Sequence, residues 1–245
     1  MTKLHVYLRY ESMARRGANE IALCVCRAIL DLPEEIKHVV LYSDSCPGQN
    51  KNTPFLATCL YVLQEKKIEM LDHKFMVPGH SRMECEVTML TQISHPHDWA
   101  QLIRMAGKKK TFNVIELTQE DFCDYASLLR TDIQMGTSNE DGEKFLWQQV
   151  RWLRYVLDKP TKVPYKTYLK GKDTFSVIDM TPRRQQPHSC LKQNKCYNNV
   201  VPIYEAKKIF YHCSHTSHLF FMSFYKNLKT EMDLTDPICD SDEEN

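Results

Sequence analysis

Residues 38–43, His-Val-Val-Leu-Tyr-Ser, form a short β-branched apolar run that stops at Asp44 and a Cys46-Pro47-Gly48 loop. Such a run suits a strand buried on both faces, as in a parallel sheet. Its flanks set the fold class. Upstream, residues 4–10 alternate like a strand, and a turn at Arg15-Arg16-Gly17 leads into a helix over 18–31 carrying Ile21, Leu23, Val25, Ile29 and Leu30. Downstream, a helix over 53–66 places Phe55, Leu56, Cys59, Leu60 and Leu63 at helical spacing. Its Pro54 lies in the first turn, where a missing N–H costs little. A strand over 70–77 then ends at Pro78-Gly79-His80. Strands alternating with helices predict a largely parallel sheet covered on both faces. Ligands in such sheets gather at the carboxyl ends of strands, so Asp44 and His80 are expected as neighbours there.

The rest of the chain is less regular. Helices are predicted over 83–93, 99–105, 119–130 and 204–230, a strand over 111–117, and a polar loop over 136–144. The tail beyond Thr230 is acidic and reads as disordered. The expected division is a core over 1–130, a basic and aromatic subdomain over 131–230 and a tail over 231–245. Ten cysteines at irregular spacing, with no signal peptide and no run long enough for a membrane span, read as reduced thiols of a nuclear or cytoplasmic protein. The paired Cys and His spacing of a structural zinc site is absent, as are a phosphate-binding Gly-rich loop and a nucleophile signature.

Asp44 carries the chemistry that the sequence offers. A carboxylate at a strand end, followed by a Gly/Asn/Gln-rich turn, can give oxygen ligands to Mg²⁺ or Mn²⁺, which take one or two carboxylates and keep several waters. Paired ions of this kind drive phosphodiester cleavage. The competing reading is that Asp44 caps the turn, as Asp often does.

Three segments occur in order: Ala14-Arg15-Arg16-Gly17-Ala18-Asn19-Glu20-Ile21, Tyr42-Ser43-Asp44-Ser45-Cys46-Pro47-Gly48-Gln49-Asn50-Lys51-Asn52, and Lys74-Phe75-Met76-Val77-Pro78-Gly79-His80-Ser81. Together they resemble an uncharacterised animal family, abundant in arthropods and other invertebrates, that looks transposon-derived and resembles ribonuclease H-like DDE transposases and integrases. The resemblance covers residues 3–130. It implies an α/β fold with a ribonuclease H-like mixed sheet flanked by helices, lacking the N-terminal hairpin, and an irregular α+β C-terminal extension. It also implies Asp44 and Glu86 as metal ligands and catalytic acids, Glu20 as an auxiliary acid, and Gln49, Asn50 and His80 as substrate-binding residues. A surface carboxylate on the first helix is the alternative reading of Glu20.

The chain departs from the family pattern. Glu86 stands where the family has Asp, and a shift of one methylene can cost on the order of 10²-fold in rate. The first-strand Asp of the fold would precede residue 4. From Arg151 to Lys195, eleven Lys/Arg face three Asp/Glu, with Trp152, Tyr155, Tyr165, Tyr168 and Phe175 among them. Such a stretch fits phosphate contacts with stacking side chains, or else a solvated surface over core aromatics. The sequence therefore reads as a catalytically impaired remnant that binds DNA or RNA. A Mg-dependent nuclease or transposase, if the missing Asp is supplied upstream, and a non-functional gene-model fragment are the alternatives.

Overall fold

A computed structural model describes residues 4–76, 97, 100, 101, 103, 104, 112–125, 135–169, 174–181, 195–205 and 227–231. The chain divides into two compact units that interleave in sequence: residues 1–15, 85–122 and 197–245, and residues 16–84 and 123–196. No helix among the described residues is long and apolar enough to cross a membrane.

The larger unit is mixed α/β. It is built from α1 (Ala18–Leu30), β2 (His38–Ser43), α2 (Thr53–Glu65), β3 (Met70–Phe75), β5 (Trp152–Val156), β6 (Lys162–Lys166) and β7 (Ser176–Asp179), where β1 (Leu4–Leu8) and β4 (Phe112–Glu116) belong to the other unit. The sheet order is β2-β3-β5-β6-β7. β2 and β3 run parallel, and β3, β5, β6 and β7 are successively antiparallel. The sheet is therefore mixed rather than largely parallel, because β5, β6 and β7 follow one another as a meander, and short connections such as that from β5 to β6 join only antiparallel neighbours. It also crosses the boundary expected at residue 130.

Helix α2 forms because Asn52 caps it, its Oδ1 accepting the Phe55 N–H at 2.9 Å, and because nearly every side from Phe55 to Leu63 is apolar and buried. It ends in a Schellman turn: Ile68 N–H donates to Leu63 O and Lys67 N–H to Gln64 O, with Lys67 at φ 52°. The helix packs on the sheet and against α1. Phe55 meets the His73 ring at 4.9 Å between centroids, so the odd-numbered residues of β3 face α2. Since side chains alternate along a strand, Leu71, His73 and Phe75 join Leu153, Tyr155, Val163 and Ile178 in the core. The even-numbered residues of β2, β3, β5 and β6 share the opposite face.

The smaller unit holds β1 and β4 as a parallel pair in register Leu4↔Phe112 to Leu8↔Glu116, together with a two-residue parallel pair, β8 (Ile203–Tyr204) and β9 (Thr230–Glu231). Residues 97, 100, 101, 103 and 104 are helical, which overlaps the helix predicted over 99–105. The helix predicted over 119–130 does not form in its described part: Gln119–Asp121 is one 3-10 turn and Phe122 is already extended. There Thr118 and Asp121 close a capping box on each other, a helix-start device, yet only one turn follows before the chain extends to bury Phe122 and Tyr125. The helix predicted over 83–93 lies outside the described residues. So does nearly all of that over 204–230, and Thr230 is in a strand.

Candidate functional site

Asp44 sits immediately after β2, at its carboxyl end, half-buried. Its Oδ1 accepts the Cys46 N–H at 3.2 Å and the Asn50 side-chain amide at 2.5 Å. The loop that follows is wound on one acceptor, because Cys46 O takes the N–H groups of Gln49, Asn50 and Lys51. Asn52 closes the loop by donating to Pro47 O at 2.9 Å while capping α2. Asp44 thus does hold its own turn, and no described residue bonds its Oδ2. Asn50, expected at substrate, spends a side-chain donor on Asp44. Gln49 stands half-buried in the same turn.

The end of β3 lies against this loop. Met76 N–H donates to Ser43 O and Ser45 Oγ donates to Met76 O, both at 2.8 Å. His80 and Glu86 lie outside the described residues. Glu20 is in the first turn of α1 and is buried at 4 % exposure, not a surface carboxylate. A Cβ at Gly17 would come within 2.9 Å of its Oε2, so the helix start leaves space for that carboxylate. Among the described residues, no group of three His, Cys, Asp or Glu side chains is placed to hold a metal ion. The six described cysteines, Cys24, Cys26, Cys46, Cys59, Cys123 and Cys196, are free thiols.

The sheet face away from α2 carries a second arrangement. Strand register lines up Tyr42, Lys74, Trp152 and Lys166 as one row across β2, β3, β5 and β6. Aromatic and cationic side chains alternate along it. Lys74 Nζ lies 4.2 Å from the Trp152 ring centroid and 5.5 Å from that of Tyr42. Lys166 Nζ lies 4.6 Å from the Phe175 centroid, and the Arg154 guanidinium spans Trp152 and Phe175 at 5.1 and 4.7 Å. Each such contact is worth roughly 0.5–2 kcal/mol, more where water is excluded. Tyr42 is 58 % exposed.

No family model, curated protein or solved structure matches this chain. Its site must therefore be read from geometry.

One carboxylate organises the face. Asp72, buried at 2 % exposure, accepts Arg154 Nε at 2.7 Å and Nη2 at 3.1 Å, Trp152 Nε1 at 2.8 Å and His38 Nε2 at 3.0 Å. Burial alone would raise its pKa, but the bonds from Arg154, Trp152 and His38 more than reverse this and hold it below the usual carboxylate value. A bidentate Arg–carboxylate pair with all its oxygens occupied fixes side chains in space. Trp152 and Arg154 are so fixed, and Lys74 and Lys166 rest against the indole. Around the indole, Lys74, Arg154 and Lys166 stand against the one carboxylate of Asp72, so this part of the face keeps an excess of positive charge. A cavity of about 270 Å³ adjoins Lys166 and Tyr168, lined also by Lys144, Gln149 and Thr174.

The sequence pointed to the stretch containing Trp152, Lys166 and Phe175 but not to Asp72, and it gave Lys74 no role beyond its place in a motif. A signal was present. Asp72, His73 and Lys74 are three consecutive polar residues inside an apolar strand, so at least one had to be buried and bonded.

Proposed function

We propose that this chain is a nucleic-acid-binding module, derived from a ribonuclease H-like transposase, whose binding surface is the basic, aromatic face of its five-stranded sheet. The observation that carries the reading is the row Tyr42-Lys74-Trp152-Lys166, with Arg154 and Phe175 against it. Single strands bind by stacking exposed bases on aromatic side chains while lysine and arginine meet the phosphates. The three ordered motifs and the mixed sheet with Asp44 at a strand end support the ancestry. The spending of Asp44 Oδ1 and the Asn50 amide within one turn supports loss of turnover.

Fluorescence anisotropy with short single- and double-stranded oligonucleotides tests the surface. Tyr42→Ala, which removes an exposed ring, is expected to weaken single-strand binding by about tenfold or more. Lys74→Gln should lower the slope of log K against log salt by roughly 0.7. Binding that is indifferent to both substitutions would remove the sheet face from consideration.

A second reading keeps a Mg²⁺- or Mn²⁺-dependent nuclease at Asp44, favoured by the carboxylate oxygen that no described residue bonds. Under that reading the chain cleaves DNA on metal titration and Asp44→Ala does not. Equal residual cleavage by both proteins would rule out Asp44 as its source.

A further inference from the structure

A pair of cations adjoins the Asp44 loop, and neither site reading above uses it. Lys51, at the end of the loop between β2 and α2, is 5 % exposed. Its ammonium donates to Gln148 O at 2.9 Å and lies 5.3 Å from the Phe75 ring centroid. Arg151, the residue before β5, is tied into the sheet: its N–H donates to Lys166 O at 2.8 Å and its carbonyl accepts the Phe75 N–H at 2.9 Å. Arg151 Nη1 donates to Ser45 Oγ at 3.2 Å, and the Ser45 hydroxyl donates onward to Met76 O.

Burial, and then the like charge of Arg151, push the Lys51 pKa down to about 8. No carboxylate among the described residues forms an ion pair with either side chain. Two neighbouring cations, one of them nearly out of water, are costly unless an anion offsets them. Donors remain to hold one. Lys51 has spent one of its three ammonium protons and the Arg151 side chain one of its five N–H groups on described residues.

We propose that Lys51 and Arg151 form a phosphate-binding subsite at the carboxyl end of β2, with Ser45 setting the Arg151 guanidinium. A guanidinium fork meets two oxygens of a phosphate at once, and an ammonium adds a point charge. The position is the sheet edge where ligands of α/β folds collect. Helix α2 starts two residues after Lys51 and has no acidic residue in its first turn, so its positive end is not neutralised there. The phosphate comes either from free inorganic phosphate or from a nucleic-acid backbone. The subsite stands independently of the sheet-face reading.

Thermal melting of the full chain tests it, at constant ionic strength with chloride replaced stepwise by inorganic phosphate. Wild type is expected to gain about 3–5 °C in Tm per tenfold phosphate above the dissociation constant. Lys51→Met and Arg151→Gln are expected to lose that gain, while Tyr42→Ala keeps it. Equal gains in all proteins, which would be general salting-out, or no gain in wild type, would overturn the subsite. Should Lys51→Met not fold, Lys51→Arg keeps the charge and must keep the gain; a flat response there also overturns it. A single-stranded oligonucleotide that abolishes the phosphate gain identifies the backbone as the source, and independent gains identify free phosphate.

Discussion

At the scale of single residues, neighbours on β3 behave oppositely because a strand sends them to opposite faces. Asp72 is buried and charged among donors. His73 is buried and neutral between Phe55 and Phe75, its Nε2 bonded to Ser43 Oγ at 2.8 Å. Burial lowers the His73 pKa to about 3, against about 6.5 in an unfolded chain. Between those values the unfolded chain binds a proton that the native state refuses. Stability therefore rises with pH across this window and is lost as pH falls from 6.5 towards 3, by about 1.4 kcal/mol per pH unit. Asp72 adds to the loss further down, since its stabilisation is present above the unfolded carboxylate pKa and vanishes as the depressed folded pKa is crossed. Urea unfolding between pH 7 and pH 4 should show the slope, and His73→Leu should flatten it. Parallel slopes in the two proteins would assign the acid sensitivity elsewhere. The sequence showed Asp44 readily, because a Pro-Gly loop advertises a strand end. It did not distinguish the fates of Asp72 and His73, which depend on what lies above and below the strand.

At the scale of elements, the local signals were strong where they were chemical. Pro54 in the first turn announced the start of α2, and the β-branched run 38–43 became β2 with those bounds. The end of α2 shows a cost that the pattern hid. Lys67 occupies the left-handed position of the Schellman turn, where a side chain costs roughly 1–2 kcal/mol relative to glycine. The turn persists because Ile68 and Leu63, bonded through their backbones, are both fully buried. Lys67→Gly is accordingly expected to stabilise the protein by about 1 kcal/mol, a Tm gain of roughly 2–4 °C for a chain of this size. A lower Tm would mean that the lysine makes a compensating contact. Residues 119–125 carry a helix-start signal in the Thr118–Asp121 capping box, but the chain turns extended at Phe122, where Phe122 and Tyr125 are buried.

At the scale of the whole molecule, the five-stranded sheet joins segments that the sequence kept apart. β3 has β2 on one side and β5 on the other, so its core residues Leu71, His73 and Phe75 depend on Leu153 and Tyr155 from beyond residue 150. A chain ending at residue 130 would leave that edge of β3 unpaired and would take Leu153, Tyr155, Val163 and Ile178 out of the core beneath α2. Such a truncation is expected to show no cooperative thermal transition, in contrast to the full chain. A sharp melt would establish residues 1–130 as an independent domain.

Local sequence determined where the strands and helices of residues 4–75 begin, because caps, turns and hydrophobic period act over a few residues, but it did not mark β5, β6 or β7. It also placed Asp44 at a strand end. Only the tertiary structure decided strand order and register, since pairing joins residues as far apart as Asp72 and Arg154 through interactions that neither neighbourhood encodes. That pairing turned a composition bias after Arg151 into a row of cations and rings on one face, and brought Arg151 up to Lys51.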